Sequence, residues 1–338
     1  MTDYFRPLVQ IGPARPDTAV SLAGGWGWFT HAEVLSRSTP PRVVPAADIP
    51  ASVMARLTAP RPAMAGLTLD RPRIMGILNT TPDSFSDGGQ HNAVPDALRV
   101  AQEMVAAGAD ILDIGGESTR PGADFVPVSE EITRTAPVIA ALRGAGLHTP
   151  ISIDTRKAAV AEAAVSAGAN LVNDVSGFTF DPALGPLCQK LALPVCVMHA
   201  QGDPATMHLD PQYDNVLLDV FDALERQISI LEASGIPRGA ILADPGIGFG
   251  KTQDHNLALL ARLSLFHVLG TPILLGVSRK RFIGTIGNAP QAQDRAPGSI
   301  AVALAGLGQG VQMIRVHDVD DTRQAVALWH AAYFGSIL

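Results

Sequence analysis

From residue 73 onward, apolar and polar positions come in blocks rather than in alternation. A short run of Ile, Leu, Val and Ala is followed by a polar loop, then by an Ala-rich stretch with helical spacing. The runs span 73–79, 110–115, 150–154, 170–174, 194–199, 240–244, 272–277 and 311–316. They are apolar almost throughout, which is the pattern of parallel strands buried on both faces. Helical spacing recurs over 96–107, where Ala97, Val100, Ala101, Met104 and Val105 share one face. It recurs again over 157–167, 214–234, 252–263 and 297–308. Gly108, Gly168, Gly235 and Gly310 follow helical stretches, as helix C-termini favour. Eight such units predict an α/β fold, a (β/α)8 TIM barrel. An open doubly wound sheet is the alternative, but its first turn would carry GxGxxG. Here that turn reads NTTPDS.

Residues 1–72 break the pattern. They are rich in Pro and Arg, and hold GGWGWF at 24–29, APRP at 59–62 and a predicted short helix over 49–57. Tryptophans need cover, so an N-terminal extension packed on the main domain is expected, with no chemistry of its own. Residues 73–338 form the expected catalytic domain.

Composition narrows the classes. The 338 residues are 47% hydrophobic with a net charge of −7. That balance argues against broad nucleic-acid binding, yet leaves room for a small anionic ligand held by a few local cations. Cys188 and Cys196 read as buried thiols, and no Cys/His spacing suggests zinc. No signal peptide and no apolar run of about 18 residues is visible, so a cytoplasmic protein without membrane contact is expected.

In a barrel of this kind the active site lies where the strands end. The first run ends at Asn79 and TTPDSFSDGG, the second in GGESTRPGA (115–123), the third in DTRK (154–157) and the fourth in NDVSG (173–177). The others end in MHAQGDP (198–204), DPGIGFGK (244–251), GVSRK (276–280) and RVHDV (315–319). Every strand thus delivers a polar group to one rim. Asp154 could simply cap the next helix, but an acid on an apolar strand is costly unless used. Asn173 and Asp244 are polar in the same way. Lys280, Arg315 and His317 suggest an anion site. Ser118 and Thr119 could be ordinary turn residues, and His199 alone reads equally well as a core-edge histidine. GIGFGKT (246–252) imitates a phosphate-binding loop, but GxxxxGK[ST] needs Gly at the position of Pro245, so nucleotide binding there is not expected.

Taken together, LNTTPDSFSDGG, GGESTRPGA, IDTRK, NDVSG, MHAQGDP, DPGIGFGK, GVSRKRFIG and RVHDV resemble the dihydropteroate synthase family, over roughly residues 73–335. The resemblance implies an enzyme of folate synthesis, a transferase and sulfonamide target. It would join 6-hydroxymethyl-7,8-dihydropterin diphosphate to 4-aminobenzoate, giving 7,8-dihydropteroate and diphosphate. It implies a pterin site of Asp154, Asn173, Met198, Asp244, Lys280 and Arg315. It implies a diphosphate site of Asn79, Thr119, Arg315 and His317, with Mg2+ held by Asn79. Magnesium takes much of its coordination from phosphate and water, which suits the lack of an evident carboxylate cluster. Phe85, Pro121, Phe249 and Lys280 would line the aminobenzoate pocket, with Asp87 and Arg120 ordering the first two loops. Asn79, Asp154, Lys280, Arg315 and His317 are the implied catalytic set, and a homodimer is implied. Thr80 stands where many relatives have Val, and Arg281 where many have a Ser that contacts the aminobenzoate carboxylate. Other readings are a pterin-dependent methyltransferase domain and a non-catalytic pterin-binding protein of the same barrel. The first would not need TTPDSFSDGG, SRK and RVHD together, and the second would be suggested by loss of Asn79, Arg315 or His317, all of which are present.

Overall fold

The computed structural model describes residues 3–80, 93–118, 125–202, 207 and 209–337. Before residue 73 the chain is folded and packed against the rest of the molecule. β1 (Tyr4–Pro7), β4 (His31–Leu35) and β5 (Arg42–Pro45) form an antiparallel sheet in the order β1-β4-β5. β2 (Val20–Ser21) and β3 (Trp28–Phe29) form a short ribbon, and α1 (Ala51–Thr58) comes next. The tryptophans find the cover they need. Trp26 and Trp28 are both buried, and Trp26 Nε1 donates to the Leu307 carbonyl at 2.9 Å. The Tyr4 hydroxyl donates to Asp222 at 2.9 Å, and Ser264 to the Pro7 carbonyl at 2.9 Å.

The eight apolar runs become β6 (Arg73–Asn79), β7 (Ile111–Gly115), β8 (Ile151–Asp154), β9 (Leu171–Asp174), β10 (Val195–Met198), β11 (Ile241–Asp244), β12 (Leu274–Leu275) and β13 (Met313–Val316). They pair in parallel in the order β11-β10-β9-β8-β7-β6-β13-β12. A parallel bridge between Ala243 and Ile273 joins the two outer strands and closes the barrel. β12 is shorter than the expected 272–277; at its start a side chain takes a ladder position, where the Ile273 N–H donates to Gln312 Oε1 at 2.9 Å.

Strand alternation divides the core in two. Met75, Ile111, Leu171, Cys196, Leu242, Leu274 and Met313 meet inside the barrel as one apolar layer. Met64 and Leu69 pack into the same cluster, so the last part of the extension closes the barrel floor. The opposite faces of the strands, such as Ile74, Leu112, Ile153, Val172 and Val197, pack outward against the helices. Cys188 and Cys196 are both buried thiols, as expected.

The helices are α2 (Ala93–Ala106), α3 (Val128–Gly144), α4 (Ala158–Ala167), α5 (Leu184–Lys190), α6 (Val216–Ala233), α7 (Gln253–Leu260), α8 (Arg281–Ile286), α9 (Ala296–Gly308) and α10 (Val319–Phe334). Those expected from spacing appear within a few residues. α3, α5, α8 and α10 are additions. Among the described residues, no helix is long and apolar enough to cross a membrane.

Candidate active site

Two residues above the apolar layer, the inward positions turn polar. The parallel register aligns Asn79 with Gly115, Gly115 with Asp154, and Asp154 with Asn173. These positions therefore face the same way, into the barrel mouth. Asp113, two residues before Gly115, shares that face. Arg315 enters from β13 and holds the layer together. Its Nε donates to Asp113 Oδ2 at 2.6 Å and one terminal nitrogen donates to Asp154 Oδ2 at 2.7 Å. Asn173 Nδ2 donates to the same Asp113 oxygen at 3.1 Å. The other oxygen, Asp113 Oδ1, is buried with no hydrogen-bond partner among the described residues.

The charges in this layer are set by burial and by each other. Loss of water pushes the Asp154 carboxyl up, to about 7, against the pull of Arg315, while Asp113 adds to the rise. Burial works against the Arg315 charge, but Asp113 and Asp154 outweigh it and hold its pKa above the ordinary guanidinium value. Asp244 ends β11 beside Met198, its register partner on β10. Burial raises its carboxyl, opposed by the Gly246 N–H, which donates to Oδ1 at 2.7 Å, and by Lys280.

Outside this layer lies a second tier. Lys280 precedes α8, and its ammonium sits 4.1 Å from the centre of the half-buried Phe249 ring, a cation–π arrangement. His317 follows β13, and its Nδ1 lies 2.9 Å from the Ser278 hydroxyl. Arg279 pairs with Asp318 and so ties the seventh loop to the eighth. A cavity of about 300 Å3 opens beside Phe249, bordered by Arg156, Val175, Ser176, Phe180 and Met207. Asn79 is half-buried at the end of β6. The Thr80 hydroxyl donates to the Gly115 carbonyl at 3.1 Å. A Val there would lack that bond.

Asp154, Asn173, Met198, Asp244 and Arg315 therefore converge at one mouth, with Lys280, Phe249 and His317 on its loops. Arg281 is exposed in the first turn of α8. Phe85, Asp87, Thr119, Arg120 and Pro121 lie outside the described residues. Asp113 is not among the expected site residues, yet the Arg315 guanidinium brings it together with Asp154. Asp113 sits inside the run ILDIG rather than at its end, so it reads as strand interior. The signal that marks it is a lone acid in an otherwise apolar strand.

A closed parallel barrel with an acid-rich polar layer at its C-terminal mouth is the frame of a pterin-binding enzyme. Residues 75–317 match the family model described as pterin binding enzyme. The chain is 44% identical to the dihydropteroate synthase of Synechocystis sp. over 257 residues, 75% of this chain and 89% of that protein. The Xanthomonas albilineans dihydropteroate synthase, solved with 4-aminobenzoic acid, superposes with a TM-score of 0.75 at 45% identity, over 79% of this chain and 96% of that one. The Yersinia pestis dihydropteroate synthase, solved with a sulfonamide drug, gives 0.74 at 45% identity, over 80% and 98%. The chain belongs to the dihydropteroate synthase family of pterin-binding enzymes.

Proposed function

We propose that this chain condenses 6-hydroxymethyl-7,8-dihydropterin diphosphate with 4-aminobenzoate to give 7,8-dihydropteroate and diphosphate, the folate-forming reaction of its family. The observation that carries the site assignment is the Asp113–Arg315–Asp154 arrangement with Asn173 and its one unpartnered buried oxygen. A pterin edge offers adjacent N–H donors, and a buried acceptor without a partner is costly until one arrives. Asp244 takes two of those N–H groups, Asn173 and Asp154 complete the edge, and Met198 forms an apolar wall. Lys280 donates to the ring carbonyl or nitrogen.

In the reaction the bond between the pterin methylene carbon and the diphosphate oxygen breaks, with its electron pair leaving on oxygen. The acidic pterin pocket favours the cation left behind. Arg315 and His317 face the departing anion with positive charge and an N–H donor, fixed in place before the reaction. The 4-aminobenzoate nitrogen then forms the new C–N bond and loses a proton. Phe249 and Lys280 form one wall of its pocket, and Phe85, Pro121, Asp87 and Arg120 are assigned to the loops that enclose it. We assign Arg281, exposed at the start of α8, to aid in holding the aminobenzoate carboxylate, at the position where many relatives carry a Ser. Thr119 and Asn79 complete the diphosphate site.

The donor chemistry suits Mg2+. Asn79 offers a neutral amide oxygen, and the described residues hold no group of three His, Cys, Asp or Glu side chains able to form a closed metal cage. Asn79 would hold the ion, which when bound supplies positive charge to the leaving diphosphate. We assign the protein to the cytoplasm and to a homodimer. The dimer rests on the resemblance to the family.

Asp244→Ala tests the pterin assignment, because it removes the paired acceptor. Binding of the pterin diphosphate, followed by calorimetry, should fall at least ~100-fold, as expected when buried charged hydrogen bonds are lost. Unchanged affinity would move the pterin elsewhere.

A further inference from the structure

GIGFGKT fails the spacing of a phosphate loop, and the proposed reaction gives its lysine nothing to do. Lys251 is nonetheless only 5% exposed. Its Nζ lies 2.9 Å from His199 Nδ1, 3.0 Å from the Phe249 carbonyl and 3.3 Å from the His199 carbonyl. An ammonium has three N–H donors and no acceptor, and three acceptors surround this nitrogen. Burial pulls the Lys251 pKa down to about 7; in the charged form it donates to His199 Nδ1, with the ring proton on Nε2. The imidazole suits that role, since burial and the neighbouring Lys251 hold its pKa far down, at about 3.

The backbone shows how closely the two loops are joined. A Cβ on Gly246, at φ +68, would fall 1.9 Å from the His199 carbonyl oxygen. One on Gly250, at φ +62, would fall 2.4 Å from that of Gln201. Only glycine tolerates both the positive φ and the approach. The His199 N–H donates to the Asp244 carbonyl at 3.0 Å, and the Tyr213 hydroxyl to the Gly250 carbonyl at 2.8 Å. The loop between β11 and α7 thus hangs at both ends on the loop after β10. Phe249 stands at its crest, under the Lys280 ammonium.

We propose that Lys251 is a positioning residue: with His199 it locks the 246–250 loop so that Phe249 stays beneath Lys280, and it thereby sets how tightly the arylamine substrate is held. Lys251 touches neither substrate. It acts through the Phe249 carbonyl on the ring that walls the second-substrate pocket. The inference rests on the assignment of Phe249 to that pocket.

Steady-state kinetics of Lys251→Gln, His199→Leu and His199→Gln test it, with calorimetric binding of the pterin diphosphate alongside. Lys251→Gln and His199→Leu should each raise KM for 4-aminobenzoate about tenfold, the scale of one modest packing contact. Their kcat and pterin diphosphate affinity should stay within about threefold of wild type. His199→Gln keeps an acceptor for the ammonium and should behave nearly as wild type. If kcat and both substrates suffer equally, or if KM for 4-aminobenzoate does not move, the positioning role is wrong. Should Lys251→Gln lose its cooperative thermal transition, the two His199 variants decide the matter by the same criteria. A wild-type protein that makes no dihydropteroate would instead sink the reaction itself, a failure separate from either variant's.

Discussion

Arg315 stands between two carboxylates, Asp113 at 2.6 Å and Asp154 at 2.7 Å. Such a triad is costly to bury and weak evidence for stability, so its use must be sought in binding. Asp154 makes the point testable through pH. Its carboxyl lies at about 7 because burial opposes the charge, whereas an unfolded Asp titrates near ~4. Between those values the native chain binds a proton that the unfolded chain does not. Its contribution to stability therefore falls as pH rises from about 4 to about 7 and is level above. Function runs the other way, because only the ionised group pairs fully with Arg315 and accepts from a pterin. Affinity for 6-hydroxymethylpterin, a probe without titrating phosphates, should fall as pH drops through about 7, and Asp154→Asn should flatten that limb. A flat wild-type profile across this range would mean that Asp154 stays ionised throughout. Asp154 is legible in the sequence because it ends an apolar run. Asp113 carries a weaker signal, a lone acid inside an apolar strand, and nothing in ILDIG says that it will meet an arginine 202 positions away.

At the scale of elements, the loops after β7 and β8 are bound into one buried network. Lys157 Nζ lies 2.6 Å from Glu131 on α3, 3.2 Å from Glu117 and 2.6 Å from the Val126 carbonyl. Glu117 also takes the Val126 N–H at 3.0 Å and pairs with Arg156 at 3.1 Å. Glu117 and Val126 flank residues 119–124, so this network fixes both ends of the second loop. Lys157→Met leaves Glu131, fully buried, without its cation. The variant should lose roughly 3–5 kcal/mol in urea unfolding, and a loss below about 1 would show that Glu131 is compensated by other groups. The strands were readable because burial on both faces leaves a continuous apolar run. α3 was not, since it buries Glu131 and Thr135 and carries Pro137 within its span. Its inward face opens with Glu131 and Thr135 before Val138, Ile139 and Leu142, which shortens the apolar stripe that helical spacing relies on. α5 is too short for its period to show, with only seven residues.

At the scale of the whole molecule, the barrel is a stack of three layers with different tasks. Met64 and Leu69 from the extension close the floor, the ring from Met75 to Met313 fills the middle, and the polar layer opens at the mouth. The extension was expected to pack for the sake of its tryptophans, and it does. That it also closes the floor could not be read, because Met64 and Leu69 lie in a Pro-rich segment without periodicity. The barrel order itself was legible from eight repeated units, and so were the loops that carry the site. The central claim is that this mouth joins a pterin methylene carbon to an arylamine with loss of diphosphate. The most direct measurement is the stoichiometry of a reaction containing the purified protein, pterin diphosphate, 4-aminobenzoate and Mg2+. The account predicts 7,8-dihydropteroate and diphosphate in equal amounts, with dihydropteroate absent when either substrate is omitted. Diphosphate release without dihydropteroate, or neither product, would contradict it.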